Sequence, residues 1–376
     1  MGWKRYAPLI LAASVIASGV GNVFMGPHFM DLHGLIRKAA DFDHLYDSQG
    51  GVFLYPPFAA ALLWPLRFLP MPLAETLWFI AVVAALYGIV RLTQRFTGGD
   101  RRAAMLWTAL AIWFEPVVNT LALGQVGVFL TLAVLYAATC RDAKSGVIVG
   151  LATGFKLTPA VTWLWFAGQK RWKAVIVSVA TFASTIGIAW IMAPQITERY
   201  LHIFTDATRV PGYAGAINQS WLGALARILG HHPGNTILAV CAIATAALAA
   251  IAWRRTDDPL GRLLVVQLFG LLFSPISWTH HWVWLIPLVM WAFGRGYRWL
   301  GGMWIVIMMT GIPNCLLILQ PTLEQIGRPW FLAWAATVYL IAALVTLGRM
   351  ARTGRQVDHP IAVGQRDQCA AVAPDS

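Results

Sequence analysis

Residues 238–253 read LAVCAIATAALAAIAW. The run carries no charged side chain and does not alternate between polar and apolar positions, so it fits a buried helix. It does not fit the roughly ten-residue alternating strands of a membrane barrel. With its flanks it covers 235–253, long enough as a helix to cross a hydrocarbon core about 30 Å thick. Similar apolar stretches recur on both sides of it, from near the N-terminus to residue 348. Of the 376 residues, 58% are hydrophobic and 12% charged, and mean hydropathy is +0.64. A soluble domain carries about 25% charged residues. The expected fold class is all-α, a polytopic integral membrane protein.

The net charge of +12 does not point to nucleic acid, because the cations sit in short clusters between apolar runs. These are Lys4 and Arg5, RLTQRFTGGDRR at 91–102, Arg141 and Lys144, QKRWK at 169–173, RRTDDPLGR at 254–262, GRGYR at 294–298, and the tail from Arg349. Clusters of that kind mark cytoplasmic loops. Cys140, Cys241, Cys315 and Cys369 lack metal-type spacing and form no disulfide framework, so no metal or cofactor is expected. The first apolar segment, Tyr6 to Met25, is long, lacks a small-x-small cleavage site and precedes many further spans; it reads as an uncleaved first helix.

With both termini in the cytoplasm of a bacterial inner membrane, spans at 6–25, 73–91, 103–118, 124–140, 172–191, 235–253, 260–277, 281–294, 299–318 and 330–348 put every basic cluster inside. About 10–12 transmembrane helices are expected. Segments 53–70 and 145–168 do not fit as single crossings; each is expected to enter and return, with Pro65 and Pro159 as breaking points. Residues 1–348 then form one transmembrane domain, and 349–376, polar and without periodicity, a disordered tail. On this parity the unusual polar residues collect on the outer face. They are Asp31, His33, Asp41, Asp43, His44, Asp47, Tyr55, Glu115, Asn119, Gln125, Lys156, Arg199, Asp206, Arg209, Asn218, Gln219, His280 and His281. One water-accessible polar site at that boundary is the economical reading.

Each position has a structural reading beside a functional one. Asp31 is either a solvated loop aspartate or, grouped with Asp41, Asp43 and Asp47, a catalytic or cation-binding carboxylate, although the spacing matches no calcium loop. FEPVVNTLALGQVGVF at 114–129 places Glu115, Asn119 and Gln125 between two spans. A charge at mid-depth costs about 2.5–3.5 kcal/mol there, so a cavity or a helix-break pairing is required. Lys156, in ATGFKLTPA at 152–160, is either a snorkelling lysine or a cation for an anionic phosphate. In GAINQSWLGAL at 215–225, Asn218 or Ser220 caps a helix, or Asn218, Gln219 and Trp221 read a sugar. His280 and His281, in SPISWTHHWVWLIP at 274–287, lack a third ligand for a metal and point about 100° apart, so one at most faces a given cavity.

In order along the chain, DLH at 31–33, LYD at 45–47, FLYPPFAAALLWPL at 53–66, LGQVG at 123–127, KLTPA at 156–160, NQSWLG at 218–223 and SPISWTHHWVW resemble the glycosyltransferase family 87 membrane proteins. The family is also described as domain of unknown function 2029. The resemblance runs from Asp31 to Pro287. It implies a GT-C fold with an extracytoplasmic site, a polyprenyl-phosphate sugar donor and a lipid or glycan acceptor. It also implies transfer of a hexose, mannose by preference, with inversion. The family's catalytic base falls on Asp31, and no nucleotide-binding motif is needed. Tyr55, Glu115, Asn119, Gln125, Lys156, Asn218, Gln219, Trp221, His280 and His281 are the expected substrate contacts, Lys156 and the histidine pair being the candidates for the departing phosphate and His281 the favoured histidine. This chain departs from the family pattern in DLHGLIRKAADFDHLYD after Asp31 and in Gly127, where asparagine is common. Both departures bear on the acceptor and the sugar. The competing class is a transporter or flippase, which would show inverted repeats and polar residues at the midplane; the polar set here is one-sided.

Overall fold

A computed structural model describes residues 2–25, 28–47, 53–204, 212–320 and 330–352. Asp206, Arg209, most of the 319–329 loop and the tail beyond Arg352 lie outside the described residues. The chain is all-helical. After α1 (Ala7–Met25) come α2 (Met30–Ala40) and α3 (Pro57–Leu63), then the long α4 (Met71–Thr97). Next are α5 (Arg101–Ala111), α6 (Glu115–Leu123), α7 (Gly127–Ala138), α8 (Asp142–Phe155), α9 (Thr162–Gly168), α10 (Trp172–Met192) and α11 (Pro194–Ile203). The second half holds α12 (Trp221–Leu229), α13 (Asn235–Arg255), α14 (Pro259–Phe273), α15 (Leu285–Gly294), α16 (Arg298–Thr310), α17 (Ile312–Ile318), α18 (Trp330–Ala335) and α19 (Val338–Arg352).

Local chemistry sets these boundaries. Asp100, Ser220 and Asp258 cap α5, α12 and α14 by accepting the N–H of Ala103, Gly223 and Gly261. Proline stands in the first turn of α3, α4, α6, α11, α14 and α17, where its missing N–H costs nothing.

The spans are shorter and more broken than the hydropathy pattern implies. Among the described residues, five helices are long and apolar enough to cross a membrane: Lys4–Phe24, Met71–Thr97, Trp172–Met192, Asn235–Arg255 and Arg298–Ile318. The stretch expected at 103–118 bends by 71° between α5 and α6, at the turn that admits Glu115. The spans expected at 124–140 and 260–277 are the 12-residue α7 and the 15-residue α14. The one expected at 281–294 is a 3-10 turn, Thr279–Trp284, running into the 10-residue α15. Helices of that length reach only about 15–23 Å at 1.5 Å per residue.

The segment at 145–168 does enter and return. Arg171 donates to Asp142 Oδ1 at 2.6 Å and to the Cys140 carbonyl at 2.9 Å, so the outgoing α8 and the returning α9 share one end. The break falls on Lys156, whose extended backbone (φ −151°) ends α8, and not on Pro159, which sits in the 3-10 turn that restarts the chain. Gly146, Gly150 and Gly154 line the face of α8 against α10, where an added Cβ would collide with Val177, Thr181 and Thr185. Small residues at four-residue spacing let the two backbones approach. The other segment, 53–70, is the seven-residue α3 and a 3-10 turn at Trp64–Phe68, with Pro65 in that turn's first residues; Arg67 reaches back to the Ala40 carbonyl.

Two opposite ends result. One gathers the basic clusters: Lys4 pairs with Asp100 at 3.3 Å, Gly294 packs on Thr97, and Arg295 pairs with Asp258 at 2.9 Å. There too Trp165 donates to the Pro259 carbonyl, and Arg349 lies over the Tyr297 ring. The other end holds α2, α3, α11 and the tip at Lys156. Tyr200 of α11 stacks on Tyr46 at 5.7 Å, and Arg199 pairs with Asp47. Between them, Trp282, Trp304 and Tyr339 are fully buried and pack edge to face.

Candidate active site

Asp31 enters the site because α2 starts in an unusual way. His28 and Phe29 both take positive φ, and the Phe29 N–H bonds the Ala122 carbonyl at the end of α6. That bond lays the first turn of α2 against the LGQVG turn. Gly124 closes α6 in the left-handed conformation (φ 77°), and a Cβ there would strike Leu32 of α2. Three residues on, a Cβ at Gly127 would lie 2.9 Å from the His280 carbonyl. The two glycines therefore let the turn carrying Gln125 sit between α2 and the histidine segment.

Gln125 is buried and uses both ends of its amide. Its Nε2 donates to Asp31 Oδ2, and its Oε1 accepts the Tyr55 hydroxyl at 3.1 Å. The ring of Tyr55 in turn faces Lys156, whose Nζ lies 4.9 Å from the ring centroid. Lys156 Nζ is 3.1 Å from Nε2 of His281, and the His281 imidazole also bonds the Ile276 backbone. His280 stands edge to face on His281 at 4.5 Å, with Trp278 against both rings. The His280 Nε2 is buried without a hydrogen-bond partner among the described residues.

Asp31 is held above the usual carboxylate range by burial, against the opposing pull of the Gln125 hydrogen bond and the Lys156 charge. Burial, then the charge of Asp31, raise the Tyr55 hydroxyl, which stays protonated and able to donate. One carboxylate, one ammonium and the His281 imidazole thus converge from α2, the α8–α9 tip and the turn before α15, with His280 packed edge to face on His281. A carboxylate beside a cation with imidazoles can take a proton from a hydroxyl and hold a phosphate.

The remaining expected contacts are spent on the protein itself. Glu115 accepts the Tyr339 hydroxyl at 2.6 Å and the Asn314 N–H at 3.1 Å. Asn119 and Asn314 exchange amide hydrogen bonds of 3.0 and 2.8 Å, and Asn119 also donates to Thr279. Asn218 is bound to the Tyr213 and Pro275 carbonyls and to the Ser277 N–H; Gln219 to the Ala216 and Ala336 carbonyls and the Tyr339 N–H. Both are fully buried; Asn218 fastens the 274–278 turn that presents the histidines, and Gln219 ties its own loop to the start of α19. Trp221 donates to Thr245 and lines an apolar pocket of about 160 Å³ with Leu238, Ala242 and Leu272, away from Asp31. Sequence reasoning missed Glu75, which holds His33 at 2.6 Å, and the partners Asn314 and Tyr339. The asparagine of GIPNC was the available signal for Asn314.

Comparison with known proteins identifies the family. A phosphatidylinositol pentamannoside mannosyltransferase of Mycolicibacterium smegmatis, described as polyprenol-phosphate-mannose-dependent and alpha-(1-2), is 46% identical over 93% of this chain and 92% of its own. Its counterpart of the same description in Mycobacterium tuberculosis is 46% identical over 94% and 88%. A polyprenol-phosphate-mannose-dependent alpha-(1-2)-phosphatidylinositol mannoside mannosyltransferase of M. tuberculosis is 29% identical over 79% and 78%. No solved structure matches. The sequence profile of glycosyltransferase family 87 matches residues 53–275, and with these relatives it places the chain, a multi-pass membrane enzyme, in glycosyltransferase family 87, a GT-C family.

Proposed function

We propose that the protein transfers a mannosyl group from polyprenyl-phosphate-mannose to a phosphatidylinositol mannoside through an alpha-1,2 linkage, with Asp31 as general base. The observation that carries this reading is the convergence of Asp31, Gln125, Tyr55, Lys156 and His281 at the end of the molecule opposite the basic clusters. By the positive-inside rule the basic end is cytoplasmic, so both termini lie inside and the site opens outward. The substrates are those named for the relatives that align over nearly the whole chain.

The free oxygen of Asp31 takes the proton from the acceptor hydroxyl as that oxygen attacks the anomeric carbon of the beta-linked donor from the opposite side. The C–O bond to the polyprenyl phosphate breaks, giving an alpha product. Lys156, held in place by His281, compensates the charge gathering on the leaving phosphate with its remaining N–H donors. Purified protein with labelled polyprenyl-phosphate-mannose and a phosphatidylinositol mannoside acceptor tests the reading. Label in an alpha-1,2-linked product is expected. Transfer only from a nucleotide sugar would overturn it.

A further inference from the structure

We propose that Gln125 and Tyr55, expected from the sequence as substrate contacts, act instead as a positioning pair that aims the Asp31 carboxylate and keeps it apart from Lys156. The proposal rests on Asp31 being the base and concerns how that base is held.

Hydrogen-bond directions fix which end of the Gln125 amide meets Asp31. A glutamine amide rotated by half a turn presents the opposite atoms at each end, so alone it could face Asp31 with its carbonyl. The Tyr55 hydroxyl donates to Oε1 and thereby turns Nε2 toward Asp31 Oδ2. One carboxylate oxygen is occupied and the other left for the acceptor hydroxyl. Tyr55 is itself fixed: its carbonyl accepts the Tyr46 hydroxyl at 2.8 Å, and its ring packs on Phe53 and Phe155. The opposite side of the arrangement matters as much. No ion pair joins Asp31 to Lys156 among the described residues, although the two feel each other's charge. Tyr55 stands between them, offering its hydroxyl to the Asp31 side and its ring face to the ammonium. Collapse into a direct pair would tie up both the base and the cation for the phosphate. The other charged groups nearby are already engaged: His33 with Glu75 across α2 and α4, and Arg67 with the Ala40 carbonyl.

The test uses full-length protein with labelled polyprenyl-phosphate-mannose, reading kcat, KM for the donor and the pH profile. Gln125→Met keeps the volume and removes the donor. It is expected to lower kcat roughly 10- to 100-fold with donor KM within about twofold, and to move the acid limb of the profile to higher pH. Tyr55→Phe keeps the ring under Lys156 and is expected to give a smaller change in the same direction. The double variant should be no worse than Gln125→Met alone, because the hydroxyl works through the amide. Additive losses, an unmoved acid limb, or a raised donor KM with kcat intact would overturn the proposal. Asp31→Asn in the same assay separates the two readings. If it stays active, the base assignment fails; if it is inactive while Gln125→Met behaves as wild type, the positioning role alone fails.

Discussion

Lys156 and His281 meet at 3.1 Å although 125 residues separate them, one at the tip of a helical hairpin and the other in the 3-10 turn before α15. A lysine ammonium has only donors, so the His281 Nε2 facing it is the acceptor and the other ring nitrogen carries the proton. The contact brings two elements of different halves of the chain to one point, and it leaves further ammonium hydrogens for an anion.

Lys156→Met should therefore raise the donor KM roughly 10- to 100-fold, the usual worth of a hydrogen bond to a charged group. His281→Ala should do so more weakly, because the ammonium remains. Steady-state kinetics with polyprenyl-phosphate-mannose measures both. Unchanged KM in the lysine variant would remove the phosphate role.

Burial lifts Asp31 above the ordinary carboxylate range, and a base works only when deprotonated. Activity should then rise with pH through an acid limb that lies higher than about 3.9, the value of a free aspartate. Activity is lost as the medium falls through that limb, and a pH profile of kcat/KM locates it. A limb at or below the free value would mean that a different group is titrating.

Gly127 stands where the fold leaves little room for a side chain. In Gly127→Ala the new methyl carbon would lie 2.9 Å from the His280 carbonyl, so the histidine turn must shift. The expected cost is about 1–3 kcal/mol, typical of overpacking, seen as a lower apparent Tm in detergent together with weaker donor binding. A variant with wild-type Tm and kinetics would show that the turn yields freely.

Glu115 gives the converse expectation. Glu115→Ala strands the Tyr339 hydroxyl and the Asn314 N–H, each worth about 1–3 kcal/mol when left buried and unpaired. The apparent Tm should fall while the donor KM of the surviving protein changes little. Loss of donor binding at unchanged Tm would instead make Glu115 a substrate contact.

These two cases show where the sequence was legible and where it was not. Apolar run length and the distribution of arginine and lysine gave the helical class, the common face of the basic clusters and the return of the chain at Lys156. They also collected Asp31, Tyr55, Gln125, Lys156 and His281 on one face, and the structure joins them. What a linear sequence cannot give is the partner of a polar residue in an apolar run. Asn119 finds Asn314 at a separation of 195 residues and Glu115 finds Tyr339 at 224. From sequence, a side chain satisfied by such a neighbour looks the same as one waiting for a ligand. Span lengths were obscured for a related reason. Hydropathy averages across the 71° bend at Glu115 and the turn at Thr279–Trp284, because the residues in both breaks are mostly apolar or aromatic.

The most direct test of the account is mannosyl transfer by Asp31→Asn, measured with labelled polyprenyl-phosphate-mannose and a phosphatidylinositol mannoside acceptor. The substitution keeps the size of the side chain and removes its ability to take a proton. A kcat at least about 100-fold lower with donor KM retained is the predicted result. Transfer at the wild-type rate would contradict it.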